Sequence, residues 1–232
     1  MDFPMRINKY LAHTGVSTRT GADELISRGL VTINGVRAKL GDKIKETDEV
    51  RVLGKQGKKQ YTYIAYNKPA GIVTANPQGN EKGIAETLTH PKKLFPIGRL
   101  DKDSHGLIIL TDDGRITDRL LNPKYPHEKE YVVTLNRPYS SAFIRHMEHG
   151  VVLSDFTTKP TKIKKVNDTT FRITLTEGKN RQIRRMTEKL GYTVTDLHRV
   201  RIQNIMLGKI PQNAYREITD VEKNEFLTGL GL

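Results

Sequence analysis

The chain has 232 residues, of which 36% are apolar and 28% are charged, so it is long enough to fold as one or two domains. Its 39 Lys and Arg outnumber its 26 Asp and Glu, and the resulting net charge of +13 favours an anionic partner such as nucleic acid. Cysteine is absent, which excludes disulfides, thiolate nucleophiles and cysteine-based zinc sites. No run of 18 apolar residues and no secretion signal is visible, so we expect a cytoplasmic protein.

The first fifty residues have the pattern of a small module with two helices and a short sheet. Ile7, Tyr10 and Leu11 have the spacing of one amphipathic helix. A second helix is expected between the capping residues Ser17 and Thr18 and the stop at Gly29. Short strands are predicted at 31–33, 43–44 and 50–53, with a hairpin turn at Asn34-Gly35.

Three segments of this region, R-I-N-K-Y-L-A, G-V-S-T-R-T-G-A-D-E-L-I and G-L-V-T-I-N-G-V, resemble the S4 RNA-binding domain. In that family the helical pair carries the RNA-facing basic residues, which here would be Arg6, Lys9, Arg19 and Arg28. An ordinary solvated helix face is the alternative for these four side chains. Many S4 domains have Ala where this chain has Gly21, a change that weakens a helix by up to ~1 kcal/mol.

Residues 54–60 contain two glycines and no apolar side chain, which predicts a flexible basic linker. We therefore place an S4-like domain at 1–53 and a larger domain at 61–232. In the larger domain, hairpins and separated helices favour an α+β fold over a doubly wound sheet. Strands are predicted at 61–66, 72–74, 107–110, 130–135, 171–176 and between 194 and 207, and helices at 83–88, 116–121, 140–149 and 180–190.

The segment G-R-L-D-K-D-S-H-G-L-I-I-L-T-D, residues 98–112, places Asp101 at a turn before an apolar run that reads as a buried strand. We expect a carboxylate in such a place to have a charged partner or a function, because burying an unpaired charge is costly. The segment resembles the signature of the RsuA-type pseudouridine synthases, in which it holds the one essential aspartate. This resemblance implies an S4 domain followed by a catalytic domain with a mixed, mostly antiparallel sheet, and an enzyme that isomerises uridine in structured RNA without a cofactor.

Asp101 is the candidate catalytic residue on this resemblance. Isomerising uridine breaks the N1–C1′ bond and joins C5 to C1′, so a carboxylate can either attack covalently or remove a sugar proton. Both routes remain open. A neighbouring guanidinium would hold the carboxylate ionised and aimed. The stretch E-G-K-N-R-Q-I-R-R-M, residues 177–186, resembles the family's third motif, which implies Arg184 as that partner, although a basic face binding phosphate is an alternative.

Two further residues follow from the same resemblance. Tyr131, in H-E-K-E-Y, matches the family's active-site tyrosine and could stack on an extruded uracil, whereas a tyrosine on a buried strand face is otherwise usually a core residue. Arg99 is implied to displace or replace the target base, with a structural salt bridge as the alternative. Asp101, Asp103 and His105, or His146 and His149, could be considered as metal ligands, but no further ligand motif follows and we expect no metal.

The segments F-P-I-G-R-L-D-K-D-S, H-E-K-E-Y and E-G-K-N-R-Q-I-R-R-M look most like the RluF branch of the family, which modifies large-subunit (23S) ribosomal RNA. Small-subunit ribosomal RNA and transfer RNA are alternative substrates. Longer members of the family carry a basic C-terminal tail, and we expect its RNA contacts to be missing here. A rival interpretation is a non-catalytic, ribosome-associated RNA-binding protein. We expect a monomer without a membrane partner.

Overall fold

The computed structural model describes residues 3–54, 60–121 and 127–232, apart from the side chain of Asp118. Most of the predicted linker, residues 55–59, lies outside this described part. None of the helices within it is both long and apolar enough to cross a membrane.

The N-terminal module is built from two helices and five short strands around one small core. The helices enclose an apolar centre that includes Ile7, Leu11, Ala22 and Ile26, the inward positions of the predicted amphipathic pattern. The Thr18 hydroxyl caps the second helix by accepting a hydrogen bond from the backbone N–H of Gly21, as the sequence predicted. The elements are β1 (Met5–Arg6), α1 (Ile7–His13), α2 (Arg19–Ser27), β2 (Val31–Ile33), β3 (Val36–Arg37), β4 (Lys43–Ile44) and β5 (Val50–Val52).

The rest of the described chain forms one large mixed sheet with helices packed on it. Its elements in chain order are β6 (Tyr63–Lys68), α3 (Ile84–Thr87), β7 (Phe95–Ile97), β8 (His105–Thr111), α4 (Arg115–Leu121), β9 (Lys129–Leu135), α5 (Ser141–His149), β10 (Lys162–Lys165), β11 (Thr170–Leu175), α6 (Gln182–Lys189), β12 (Val194–Ile202), β13 (Ile205–Met206), β14 (Tyr215–Glu217) and α7 (Asp220–Gly229).

The order of strands in this sheet is β10-β11-β9-β12-β8-β6-β14, with β7 added to β8 and β13 to β12. Among the described strands of this sheet, β12 and β8 form the parallel pair and the others pair antiparallel. The predicted α+β fold with a mostly antiparallel sheet is confirmed.

Strand β8 lies in the interior of the sheet, between β12 and β6, and is buried on both faces, as its unbroken apolar run predicted. Leu107 and Ile109 pack into one cluster with Phe226 of α7, whereas Ile108 and Leu110 pack into another with Ile84. A third cluster lies under the other half of the sheet and is built on Val133, Phe143, Phe171, Ile173 and Met186. The central strand therefore has little freedom to move, which suits a strand that begins beside Asp101.

The structure differs from the prediction at one strand and at one helix. Residues 72–74 do not form a strand but make a single bridge, between Val73 and Gly83. The Lys68 ammonium donates a hydrogen bond to the carbonyl of Ile72, in the place where the backbone N–H of a neighbouring strand would donate in a sheet. The C-terminal helix α7 was not predicted, although it begins with a capping box of Thr219 and Glu222 that the sequence displays.

Candidate active site

A cleft of about 1150 Å³ lies beside the parallel strands β8 and β12, next to the loop that leads into β8. It brings together residues far apart in the sequence, from the loop at 98–104, strands β9 and β12 and the segment before α6. The cleft is lined by the charged or aromatic side chains of Arg99, Asp101, Lys129, Tyr131, Arg181 and Arg199, among others.

Asp101 lies on a turn whose backbone is fixed from two sides. The buried Thr74 hydroxyl donates to the carbonyl of Leu100 at 2.7 Å and accepts from the N–H of Leu100 at 3.0 Å. The N–H of Gly71 donates to the carbonyl of Lys102 at 2.7 Å, and the N–H of Ser104 to the carbonyl of Asp101 at 3.1 Å. These bonds set the direction of the Asp101 carboxylate, which is about one-third exposed and faces the cleft.

Gly106 explains why the signature requires a glycine five residues after the aspartate. This residue has a φ of +108° and pairs in register with Arg199 of β12. A β-carbon at this position would lie 2.3 Å from the carbonyl oxygen of Arg199, a clash with rigid backbone. Glycine at this position therefore lets β12 pair closely with β8, which brings Arg199 into the cleft that Asp101 also lines.

The predicted ion pair between Arg184 and Asp101 is not formed. The Arg184 Nε lies 3.3 Å from the carboxylate of Asp103, and its Nη2 donates to the Asp103 carbonyl at 3.1 Å and to the Ser104 hydroxyl at 3.3 Å. The reason is the position of α6, from which the side chain crosses the loop after Asp101 and also reaches the carbonyl of Val194. Arg184 therefore fixes the loop on which Asp101 lies.

Arg181 is the guanidinium that approaches Asp101, with 3.9 Å between its Nη1 and the carboxylate. It also makes two hydrogen bonds to Asp103 at 3.1 and 3.2 Å. Burial opposes ionisation of Asp103, but Arg181 and Arg184 outweigh it and lower the pKa of this carboxyl. Arg181 adopts a left-handed conformation with a φ of +48° directly before α6, which directs the side chain toward the loop. The motif at 177–186 contains this residue, but its spacing does not show that Arg181 is the arginine that approaches Asp101.

Tyr131 lies in the cleft, half-buried on β9, where it pairs in register with Arg199 on one side and Ile173 on the other. The structure therefore brings Tyr131 and Asp101 into one cavity, as the resemblance implied. Its side chain also packs against the apolar cluster beneath, as the alternative interpretation of this tyrosine as a core residue predicts.

Lys129 is two residues before Tyr131 and therefore on the same face of β9. Its strand neighbours are Leu175 and Ile202, both buried and apolar. Burial, with a smaller contribution from the charge of Arg199, lowers the pKa of Lys129 to about 8. Sequence reasoning missed this lysine, although its spacing from Tyr131 was visible.

Arg199 is 2% exposed and supplies fixed positive charge at the back of the cleft. Its Nε donates to the carbonyl of Leu107 at 2.6 Å and its Nη1 to the carbonyl of Arg99 at 3.4 Å. Its Nη2 is buried and has no hydrogen-bond partner among the described residues. Such a donor is costly unless something binds it, which makes it a candidate for contacting a substrate carbonyl.

Lys68 is fully buried behind the loop of Asp101. Its ammonium donates to the carbonyls of Pro69 and Ile72 at 2.8 and 2.7 Å. Burial and then the charge of Arg199 lower its pKa to about 8, while Asp101 and Asp103 oppose the shift. This lysine holds the turn that follows β6 and adds positive charge near the cleft.

The remaining predicted residues lie on the surface. Arg99 is exposed at the mouth of the cleft. Arg6, Lys9, Arg19 and Arg28 are all exposed on or beside α1 and α2. Lys9 and Arg19 line a second cavity, whereas Arg6 and Arg28 line neither.

The residues considered as metal ligands have other partners. His105 Nε2 lies 2.8 Å from the carboxylate of Asp196, and its ring stacks on His198. His146 and His149 each contact a carbonyl one helical turn back. Within the described residues, no group of three or more such side chains is arranged to hold a metal ion.

Comparison with known proteins gives consistent matches. The chain matches the family model for RNA pseudouridylate synthases over residues 62–189 and the S4 domain model over residues 5–50. It is 44% identical to the dual-specificity RNA pseudouridine synthase RluF of Escherichia coli strain K12, over 95% of this chain and 78% of that protein. It is 34% identical to the ribosomal large subunit pseudouridine synthase B of Bacillus subtilis strain 168, over 94% and 93%.

A solved structure described as a pseudouridylate synthase superposes with a TM-score of 0.70 at 31% identity, over 97% of this chain and 99% of that one. Sequence, domain order and fold therefore agree across nearly the whole chain. The chain belongs to the RNA pseudouridylate synthase family and carries an S4 domain ahead of its catalytic domain.

Proposed function

We propose that this protein isomerises a specific uridine of large-subunit ribosomal RNA to pseudouridine, with Asp101 as the catalytic carboxylate. The observation that carries this proposal is the position of Asp101, which lies on a turn locked by Thr74 at the wall of a cationic cleft that also holds Tyr131. A protein that only binds RNA gains nothing from a fixed carboxylate in a basic cleft, because that charge repels phosphate.

The reaction separates uracil from the ribose at the N1–C1′ bond and rejoins it through C5. Asp101 either attacks the nucleoside covalently or removes a sugar proton, and both need an ionised, aimed carboxylate. Arg181 places a guanidinium 3.9 Å from the Asp101 carboxylate, and Arg184 holds the loop on which Asp101 lies. When N1–C1′ breaks, the uracil takes the bonding electrons and becomes an anion.

The cationic wall of the cleft is suited to that anion. Lys129 and Arg199 lie in surroundings of low polarity, where a fixed positive charge stabilises developing negative charge more than it does in water. The unpartnered Nη2 of Arg199 is available for a uracil carbonyl. Tyr131 stacks on the extruded base, and Arg99 at the mouth occupies the place that the base leaves in the RNA.

The S4 domain positions the RNA. Its exposed cations Arg6, Lys9, Arg19 and Arg28 are suited to phosphate contacts, which orient a duplex without reading its sequence. The name of the Bacillus subtilis relative supports the large ribosomal subunit as the source of substrate. The dual specificity in the name of the Escherichia coli relative supports a second RNA substrate, for which transfer RNA and small-subunit RNA are the candidates.

The test is tritium release from ribosomal RNA transcripts that carry [5-³H]uridine, because forming the C5–C1′ bond expels the hydrogen at C5. Wild type should release tritium from a large-subunit transcript, whereas Asp101→Asn should release none and still bind the RNA. If wild type and Asp101→Asn both bind RNA and neither releases tritium from any ribosomal or transfer RNA, the protein is a non-catalytic binder and the proposal fails.

A further inference from the structure

A second cavity, of about 770 Å³, lies between the helical pair of the S4 domain and the edge of the catalytic domain formed by β7 and α4. The two domains are joined here by arginines of α4. Arg115 donates to the carbonyl of Gly15 and Arg119 to the carbonyl of His13, both at 3.3 Å, so the end of α1 is bound to α4. These contacts hold the two domains together at one end of the cavity.

Arg115 is held in place by Asp113, which is completely buried. The carboxylate accepts hydrogen bonds from Nε of Arg115 at 2.8 Å and from Nη2 at 2.7 Å, and also from the hydroxyl of Tyr63. The Arg115 guanidinium also lies over the ring of Tyr61. Because Arg115 is fixed in this way, it holds the wall formed by the S4 domain in a constant position relative to the wall formed by the catalytic domain.

The lining combines exposed cations with exposed apolar side chains. Lys9, Arg19 and Lys93 are exposed and form no ion pair or hydrogen bond with the described residues. Phe95 is 38% exposed and Leu121 is 46% exposed, so both present apolar surface to the cavity. Asp112 is the acidic side chain of the lining, and its Oδ1 accepts a hydrogen bond from the N–H of Thr62.

This cavity adjoins the candidate active site. Leu121 forms part of the wall of both. Strand β7 also borders both, since Phe95 lines the cavity and Ile97, followed by Gly98, lines the cleft of Asp101. A polymer that binds the S4 helices and reaches Asp101 would therefore pass along β7.

We propose that this cavity is a subsite for one unpaired nucleotide of the RNA substrate, close along the strand to the uridine that enters the active site. The base packs on Phe95 and Leu121, and the flanking phosphates contact Lys9, Arg19 and Lys93. The apolar residues at the floor and the cations at the rim together match the base and the phosphates of a nucleotide. A small anion would need only the cations, and an apolar ligand would need only the floor. The subsite rests on the proposed function in taking an RNA substrate.

Photocrosslinking tests the position of the base. A large-subunit ribosomal RNA transcript containing 5-iodouridine is bound to the full-length protein, irradiated and digested with trypsin. Cleavage after Lys93 and Arg99 isolates residues 94–99, which contain Phe95, and the peptide 130–145 contains Tyr131 of the active site, because trypsin does not cut between Arg137 and Pro138. The subsite predicts a crosslink on 94–99 that fragmentation assigns to Phe95, in addition to one on 130–145.

Binding measurements test the energetics on matched variants. Phe95→Ala should weaken RNA binding by about 5- to 100-fold through lost stacking. Lys93→Ala should lower the slope of log affinity against log salt by about 0.7 to 0.9. Lys164→Ala is the control, because this exposed lysine lies on β10 at the far edge of the sheet, and it should change neither. Thermal melting of Phe95→Ala checks its folding, and Lys93→Ala, on the surface, tests the rim independently.

The outcomes separate the subsite from the proposed function. The subsite is overturned if no crosslink forms on 94–99 and both variants bind RNA like Lys164→Ala while tritium release continues. It is also overturned if Lys93→Ala changes the salt slope but Phe95→Ala binds like wild type, since that result describes a phosphate patch only. Crosslinking on 94–99 without tritium release from any RNA would support the subsite and refute the proposed function.

Discussion

Replacing Lys129 by arginine tests whether a titrating cation in the cleft takes part in the reaction. Lys129 lies between the apolar strand neighbours Leu175 and Ile202, and burial together with the charge of Arg199 lowers its pKa to about 8. The ammonium is therefore ~90% charged at pH 7 and ~10% charged at pH 9. If this charge stabilises the leaving uracil as proposed, its loss on deprotonation should lower activity as the pH rises.

The magnitude follows from this change in charged fraction. The value of kcat/KM reports ionisations of the free enzyme, so it should fall about tenfold between pH 7 and pH 9 in wild type. Arginine stays charged over that range, so Lys129→Arg should show a flat profile, and Lys129→Gln should be impaired at every pH. Tritium release at RNA concentrations below KM measures this quantity, and ionisation of the RNA affects all three proteins equally.

A tenfold fall that persists in Lys129→Arg would refute this reasoning. Lys68 has a similarly lowered pKa, but its ammonium is enclosed by two carbonyls and donates to both of them. A persistent fall would therefore assign the titration to the support of the Asp101 loop and remove Lys129 from the leaving-group contact.

Three further predictions concern groups that hold the site together. Asp113→Ala should lower the free energy of unfolding by about 3–5 kcal/mol in urea titrations, because it leaves the Arg115 charge unpaired at the domain contact. Thr74→Val should destabilise the fold by about 1–3 kcal/mol and lower kcat, since both backbone groups before Asp101 lose their partner. Arg184→Ala should lower kcat by up to about 100-fold with RNA affinity unchanged, and a loss of affinity alone would show that it binds phosphate instead.

The parts of the fold that sequence predicted well are those decided by local pattern. The run from Leu107 to Leu110 is buried on both faces because apolar side chains lie on both sides of β8, which the sequence shows directly. The helix containing Ile183 and Met186 follows from spacing alone in the same way. A strand was predicted at residues 72–74 because all three are residue types that favour strands. Only the three-dimensional structure shows that the carbonyl of Ile72 accepts a hydrogen bond from the Lys68 ammonium and not from a neighbouring strand.

The partner of Asp101 could not be predicted from spacing. The motif at 177–186 contains more than one arginine that can reach the loop, and the loop carries both Asp101 and Asp103. Which guanidinium faces which carboxylate depends on where α6 starts and on the left-handed conformation of Arg181. Arg199 was equally hard to predict, since its place in the cleft of Asp101 depends on the register of β12 against β8. Motifs predicted which segments line the candidate site, and the register of the sheet determines the contacts among them.

The central claim is that Asp101, in this cleft, converts a uridine of large-subunit ribosomal RNA. Its most direct test is pseudouridine mapping of ribosomal RNA from cells that lack this protein and carry a plasmid for wild type or Asp101→Asn. We predict that a large-subunit position loses pseudouridine without the protein, regains it with wild type and does not regain it with Asp101→Asn. An unchanged map, or restoration by Asp101→Asn, would contradict the claim.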